Sequence, residues 1–504
     1  MRAIYLSLEG VGPMVVTLDG RSLTLESAID VAEGGARVRA SPASLKRMDE
    51  FRGLLEGKLT RGEVVYGVNT GFGSLSDKVV RPENLDELQL NLIRSHSAGV
   101  GDPLPAEVVR AAMLIRLNSL LNGNSAARRV VAELIVGMLN EGVTPFVPMF
   151  GSLGASGDLV PSAHMALTMI GEGSAYRRGR LSDSGGALGA SRLKPVKLGA
   201  KEGLSLINGT AFTSALGCIT AHRGKVLLKA ANSAVGVTAE ALRACSQPFD
   251  ERLAGVKLDP GQRAVARELR SLLKGSRRIR SEPVPQDPYS IRCVPQVHGS
   301  LMDALGFAEK VTVNEMNSVS DNPVLMEDGA VFHGGNFHAQ PVAMALDLLS
   351  IAVSYLGVIS LARIHYLLSK TSSESKYMAA KPGLESGLMI LEYTATALAA
   401  DNAKNVYPES SYPANVSGGI EDHASHGVNA GTKALAVVAN VSRILAIELI
   451  CASNILGANE SGVSEHGRKA CAYVRACSPL LKGDRAQGAE VEKLAKELLA
   501  GRLP

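Results

Sequence analysis

Residues 348–362 read LLSIAVSYLGVISLA, bracketed by Asp347 and Arg363. The run is 15 residues long, short of the roughly 18–20 apolar residues that a transmembrane helix needs. No charge interrupts it, and a helix apolar all round belongs in the middle of a large helical bundle. This stretch predicts a mainly α protein with a buried central helix and no membrane span.

Around it, from about residue 206 to the end, the chain keeps to long Ala/Leu/Val stretches. Leu301, Leu305 and Ala308 fall on one helical face, as do Val491, Leu494 and Leu498, with Gly501 and Pro504 as a stop. Before residue 206 the text is mixed. YGVNTGFGSLSD (66–77), SAGVGDPLP (97–105), GVTPFVPMFGSLGASGD (142–158) and a polar Gly/Ser/Arg run near 172–192 break it. Such Gly- and Pro-dense breaks are where loops carry chemistry. At the start, MRAIYLSLEG (1–10) and MVVTLDGRSLTLESAIDVA (14–32) alternate around Asp19-Gly20, which predicts a hairpin leading into a helix. The change of texture predicts a smaller mixed N-terminal domain over 1–206 and a large helical bundle over 207–504. No repeat of 20–50 residues is visible, which argues against a solenoid.

Composition narrows the function. Of 504 residues, 46% are apolar and 20% charged, a soluble globular balance with ample material for a core. Lys and Arg number 53 against 49 Asp and Glu, a formal charge of only +4 spread thinly, so nucleic acid is not an expected partner. Aromatic residues are 4% and Trp is absent, leaving few platforms for stacking bases. Six cysteines, Cys218, Cys245, Cys293, Cys451, Cys471 and Cys477, form no C-x-x-C pair, so neither a zinc ribbon nor a disulfide scaffold is implied. With no basic-plus-apolar leader, the expectation is a cytoplasmic enzyme with reduced thiols. His423 and His426 beside Glu421 lack a third ligand at a known spacing, so no metal is expected. The clusters Arg177-Arg178-Gly179-Arg180 and Arg277-Arg278-Ile279-Arg280 read as solvated loops.

The densest chemical signal is GSLGASGDLVPS, residues 151–162. As plain structure it is a glycine-rich loop entering a helix, with Asp158 near the cap and Pro161 early in the helix. A serine nucleophile elbow would need Gly where Asp158 stands, and a phosphate cradle would need a following G-K-[ST]. A third reading uses Ala155-Ser156-Gly157 itself. Gly157 lacks a side chain, so its nitrogen can approach the Ala155 carbonyl carbon in a tight bend. Ring closure with loss of water, then loss of water from Ser156, would leave a five-membered imidazolone with an exocyclic methylidene. That group is a strong electrophile, which no ordinary side chain supplies.

In this string the sequence resembles the aromatic amino acid ammonia-lyases, above all their histidine-specific branch. The resemblance continues through LDGRSLTLE (18–26), YGVNTGFG (66–73), NLIRSHSAGVGDPLP (91–105), LINGT (206–210), QDPYSIRCVPQ (286–296), NSVSDNPV (317–324), HGGNFHAQP (333–341) and EDHAS (421–425). It implies an ammonia-lyase/fumarase-like helical architecture and a self-made 4-methylidene-imidazol-5-one (MIO) from Ala155, Ser156 and Gly157, with no external cofactor. It also implies Tyr66 as the base that removes a weakly acidic β-proton. Phenols ionise only near pH ~10, so that role needs cationic or dipolar neighbours. By the same resemblance Arg292 grips an α-carboxylate with its planar fork, beside Tyr289, Asn208, Gln286 and Phe337. His96, in Ser95-His96, and Glu421 match positions that face an imidazole substrate.

The implied reaction is non-oxidative conversion of L-histidine to trans-urocanate and ammonia in a homotetramer whose active sites gather loops from three subunits. Either the substrate amine or its ring could attack the electrophile. Ala211, Ile420, Gln340 and His298 depart from the histidine-specific pattern, which keeps a tyrosine or phenylalanine lyase or aminomutase open as alternatives. Outside the family, the alternatives are a serine hydrolase or an inactive helical scaffold.

Overall fold

The computed structural model describes residues 14–504, so the alternating segment 1–10 lies outside the described residues. The architecture is mainly α, and the chain divides into two compact units. The first comprises the described chain up to Ile219, with Glu309–Met344 and Glu409–Gly431. The second comprises Thr220–Ala308, Ala345–Pro408 and Thr432–Pro504. The units are thus interleaved along the chain, where the change of texture predicts one boundary at 206/207. Four of the five dividing points fall inside the helices Ala211–Leu242, Val294–Met316, Gln340–Ser369 and Gly427–Leu456, and the fifth lies in the loop at Pro408/Glu409. A helix of 30 residues is ~45 Å long, more than the width of a small domain, so one helix serves two cores.

In the first unit no hairpin forms around Asp19-Gly20 among the described residues. Strand Met14–Leu18 pairs in parallel with Ala36–Ala40, and the helix Leu25–Ala32 makes the crossover. Parallel neighbours cannot be joined by a tight turn. The alternation ends at Leu18 because Asp19 folds back on the backbone N–H groups of Arg21 and Ser22, at 2.8 and 2.9 Å. Thr24 then caps the helix, its hydroxyl accepting from Ser27 N–H at 3.1 Å.

The run near 172–192 is also more ordered than its composition predicts. Ser174–Arg177 and Arg180–Asp183 pair antiparallel, and the helix Ser184–Ala190 follows. Arg178 and Gly179 both take positive φ, 49° and 78°, as a two-residue hairpin turn demands. The second basic cluster is tied down as well. Arg278 donates to the Glu240 carbonyl at 3.0 Å, and Arg280 to the Arg243 carbonyl and to Asp287 Oδ1 at 2.6 and 2.9 Å.

One buried cation of the first unit sets the site's floor. Arg116, on the helix Ala106–Leu120, is 1% exposed and donates to the carbonyls of Ser320 and Asn208, each at 3.0 Å. Burying a guanidinium is costly unless its protons are matched, so this pairing fixes the backbone at Asn208-Gly209.

The second unit is a helical bundle. A Cβ on Gly224 would press on Leu305, and one on Gly357 would meet Ile444 and Val441. Glycine lets those helices approach closely. Arg363 and Glu448 form a fully buried two-pronged pair at 2.6 and 2.8 Å, with Ser360 and Thr238 hydroxyls donating to the same carboxylate at 2.6 and 2.7 Å. Every carboxylate oxygen is therefore matched, the condition under which a buried ion pair is tolerated. Leu301, Leu305, Ala308, Val491, Leu494 and Leu498 are all buried, as their spacing predicts.

The opening stretch needs correction on two counts. It lies within Gln340–Ser369, one of two 30-residue helices, with Gly427–Leu456, that are long and apolar enough to cross a membrane by length and composition. In each, 72% of the apolar window is buried inside the protein. Nor is the first helix buried all round, since Met344, Leu348, Tyr355 and Val358 are exposed.

Candidate active site

The site lies in the first unit, around the loop between the strand Pro148–Phe150 and the helix Leu159–Met169. Gly157 has φ 78° and pairs in parallel with Gly209, whose carbonyl also accepts from Asp158 N–H at 2.7 Å. A Cβ on Gly157 would collide with that carbonyl, so only glycine fits here. Asp158 stands at the helix cap, but its buried carboxylate accepts from the N–H and hydroxyl of Thr213, both at 2.7 Å, and not from the helix. Burial pushes its carboxyl up to about 6, against the Thr213 hydrogen bonds. The upstream arm is held by Ser425 N–H to the Gly154 carbonyl at 3.1 Å and His426 N–H to the Leu153 carbonyl at 3.0 Å.

Ser156 meets two of the expected residues directly. Its hydroxyl donates to Glu421 in a short contact, and its carbonyl accepts from Asn208 Nδ2 at 3.2 Å. Asn208 Oδ1 is buried with no partner among the described residues. An unfilled buried acceptor costs free energy in the resting protein and is a place for a ligand donor.

Two lobes open from Ser156. One, about 730 Å³, is lined by Tyr66, Ala155, Ser156, Asn208, Phe337 and Glu421, with His333, His338 and His423. The other, about 500 Å³, is lined by Tyr66, Ser156, Asn208, His96 and Glu421, with Leu88, Leu92 and Leu159. Tyr66 borders both. Its phenol oxygen accepts from Gly73 N–H at 3.1 Å, and its ring meets His333 edge-on at 5.8 Å. His96 ends the helix Leu85–His96, with Nδ1 against the Leu92 carbonyl at 2.9 Å. A carbonyl only accepts, so Nδ1 carries the proton and Nε2 is left as an acceptor. Burial pulls the His96 imidazole below its usual range, while the Leu92 carbonyl and the charge of Glu421 pull it back.

Three expected residues belong to the second unit. Gln286, Tyr289 and Arg292 line a recess of about 320 Å³ in the second unit. There Arg292 donates to Gln286 Oε1 at 2.8 Å and lies 5.4 Å from the Tyr289 ring centre, and Tyr289 is 73% exposed.

Of the four departures from the histidine-specific pattern, only Ile420 lines a lobe. Ala211 is buried at a helix start, Gln340 donates to the Ser410 carbonyl at 3.3 Å, and His298 is buried against Asn232 Oδ1 at 2.7 Å. Sequence reasoning missed His333, His338 and Asn322, all lining the first lobe. The two histidines flank the Gly-Gly of HGGNFHAQP, and their proximity to Phe337 was the available signal. Among the described residues no three His, Cys, Asp or Glu side chains gather as a metal would require. His426 packs instead against the Tyr412 ring, 6.2 Å away.

Chemically, the lobes offer a phenol, a carboxylate, an imidazole with a bare nitrogen, and a backbone loop shaped around one glycine. The chain matches the model of the aromatic amino acid lyase family over residues 23–476. It is 44% identical over 490 residues to the histidine ammonia-lyase of Symbiobacterium thermophilum, with 96% of each chain covered. The histidine ammonia-lyase structure from Trypanosoma cruzi superposes with a TM-score of 0.90 at 37% identity, covering 97% of this chain and 94% of that one. A tyrosine aminomutase from Streptomyces globisporus gives 0.91 at 34%, covering 97% and 98%. Sequence match, backbone likeness and the residues gathered at Ser156 agree: this chain belongs to the aromatic amino acid lyase family.

Proposed function

We propose that this lyase eliminates ammonia from L-histidine to give trans-urocanate, the first step of histidine degradation, using MIO formed from Ala155, Ser156 and Gly157. The observation that carries this reading is the pairing of His96 and Glu421 in the lobe that opens from Ser156. A substrate imidazole carries one N–H and one bare nitrogen, and the Glu421 carboxylate suits its N–H. The relatives named histidine ammonia-lyases at 44% and 37% identity support the same substrate.

The residues present fit the prosthetic group. Gly157 sits where any Cβ would collide, and the Ser156 carbonyl, which would become the ring carbonyl, already holds the Asn208 amide. When formed, the group supplies an electrophilic methylidene and an electron sink. Asn208 donates to the oxygen on which such density collects, the place where a fixed donor lowers a barrier most. Tyr66 is the base for the β-proton, its phenol oxygen held by the Gly73 N–H at 3.1 Å. Glu421 and His96 orient the substrate ring. Ser156 meets Glu421 with no histidine between them, which leaves a serine hydrolase without its base. A tyrosine or phenylalanine lyase or aminomutase is the second reading, favoured by apolar Ile420 in the first lobe.

The remaining carboxylate grip comes from another copy of the chain. Arg292, Tyr289 and Gln286 line a recess without Ser156, and the exposed stripe Met344, Leu348, Tyr355 and Val358 needs a cover. A homotetramer with shared active sites meets both needs. Inactive Tyr66→Phe and Arg292→Ala chains, co-assembled, are then expected to regain activity, and light scattering showing a fully active monomer would refute the assembly. Six free cysteines, five of them buried, suit a reducing cytoplasm.

The direct test is incubation with L-histidine and no added cofactor, watching for urocanate absorbance. Tyrosine or phenylalanine consumed in its place would establish the second reading. His96→Leu is expected to depress histidine turnover roughly tenfold to a hundredfold while sparing an aromatic analogue, because it leaves a buried polar partner unmatched. Equal losses on both substrates would make His96 structural.

A further inference from the structure

We infer that His338 is a positioning residue for Glu421, clamping the turn that presents this carboxylate to Ser156. The inference rests on the function proposed above.

The clamp has a fixed side. His338 N–H closes a turn onto the Gly335 carbonyl at 2.9 Å, two residues before the helix Gln340–Ser369 begins. Just upstream, Gly334 N–H is tied to Asn322 Oδ1 at 2.9 Å. The other side is the turn itself. Val416 N–H bonds the Glu421 carbonyl at 2.9 Å, and Ser425 and His426 bond the carbonyls of Gly154 and Leu153. Ser417 and His426 take φ of 54° and 51° there, a left-handed conformation that side-chain-bearing residues keep only when their surroundings hold them.

His423 lies between these two anchorages, two residues after Glu421. The rings of His338 and His423 stack at 5.3 Å with 2° between their planes, and while burial pulls the His338 imidazole down, the His423 main chain pulls it back up. His338 Nε2 is buried with no partner among the described residues, which leaves Nδ1 to face the His423 main chain. The ring thus holds the turn by one edge and one face, and Glu421 takes its place against Ser156 from that hold. A direct role on substrate would instead use Nε2.

The two nitrogens can be separated. His338→Asn keeps an N–H near the Nδ1 position, His338→Gln moves it toward Nε2, and His338→Ala removes both. Alanine and glutamine are expected to lower kcat/KM for histidine about tenfold or more, with asparagine restoring most of it and intact masses unchanged. In a Glu421→Gln background, His338→Ala should add little further loss, because the positioned group is already gone. Amide exchange over residues 416–426 should quicken with alanine and glutamine and return with asparagine. Rescue by glutamine and not asparagine would overturn the inference in favour of contact through Nε2. Additive losses with unchanged exchange would overturn it too. Failure of the parent chain to release ammonia from any aromatic amino acid would sink the functional reading, and the exchange comparison would still decide His338.

Discussion

The Ser156→Ala chain is expected to show the full mass of its own sequence and no turnover above background, while the parent chain falls short of its sequence mass by two waters. Forming the methylidene requires Ser156 to lose its hydroxyl, and alanine has none to lose. None of the remaining side chains is a strong electrophile, so nothing else can serve as electron sink for elimination from an unactivated amino acid. The substitution is mild for the fold. The Asn208 hydrogen bond is to the Ser156 carbonyl, and the Gly157 and Asp158 contacts with Gly209 are main-chain, so all survive. Relative to the unmodified serine, the substitution removes one hydroxyl donated to Glu421, a hydrogen bond that the parent chain itself gives up when the methylidene forms. Circular dichroism and the mass measured on one sample separate loss of chemistry from loss of structure. An active parent chain at its full unmodified mass would end the MIO proposal.

Tyr66→Phe is expected to lower kcat by roughly 10²–10⁴-fold, as loss of a general base does, with KM changing much less. The change removes one oxygen and keeps the ring, so the edge-on contact with His333 persists. The hydrogen bond given up is the one from Gly73 N–H at 3.1 Å, at the open wall of both lobes, where water can replace it. Ala155, Ser156 and Gly157 lie on another loop, so the two-water mass deficit should remain. That deficit is the control: a variant with it and without turnover has lost the base alone. Near-normal turnover with the deficit present would place the base elsewhere, and Glu421 would be next, since it borders both lobes and touches Ser156.

Much of the site was legible because its residues sit in short strings whose local geometry is dictated by local chemistry. GSLGASGDLVPS announces a glycine-dependent bend, and the structure shows why Gly157 must be glycine: the Gly209 carbonyl occupies the space of a Cβ. Asn208 comes with it, because LINGT supplies both that carbonyl and the amide on Ser156. Asp158 was legible only in position. A cap residue is expected to serve its own helix, yet Thr213 supplies stronger donors from elsewhere in the chain.

What pattern alone established about this protein was its class and its chemical core: a mainly α chain and a loop holding Ala155, Ser156 and Gly157. Periodicity and glycine placement report on neighbours within a turn or two, and these features need no more. Tertiary structure decided the rest. The alternation around Asp19-Gly20 looked like a hairpin, but strand pairing is a long-range choice, and Met14–Leu18 found a parallel partner across a helix. His333 and His338 were not singled out within HGGNFHAQP, and packing set one against Tyr66 and the other on His423. Arg292 and Tyr289 read as companions of the substrate carboxylate, and folding puts them with Gln286 in a recess of the second unit. A sequence string names a residue's chemistry, but which groups share a cavity is settled by how distant segments bury their surfaces together.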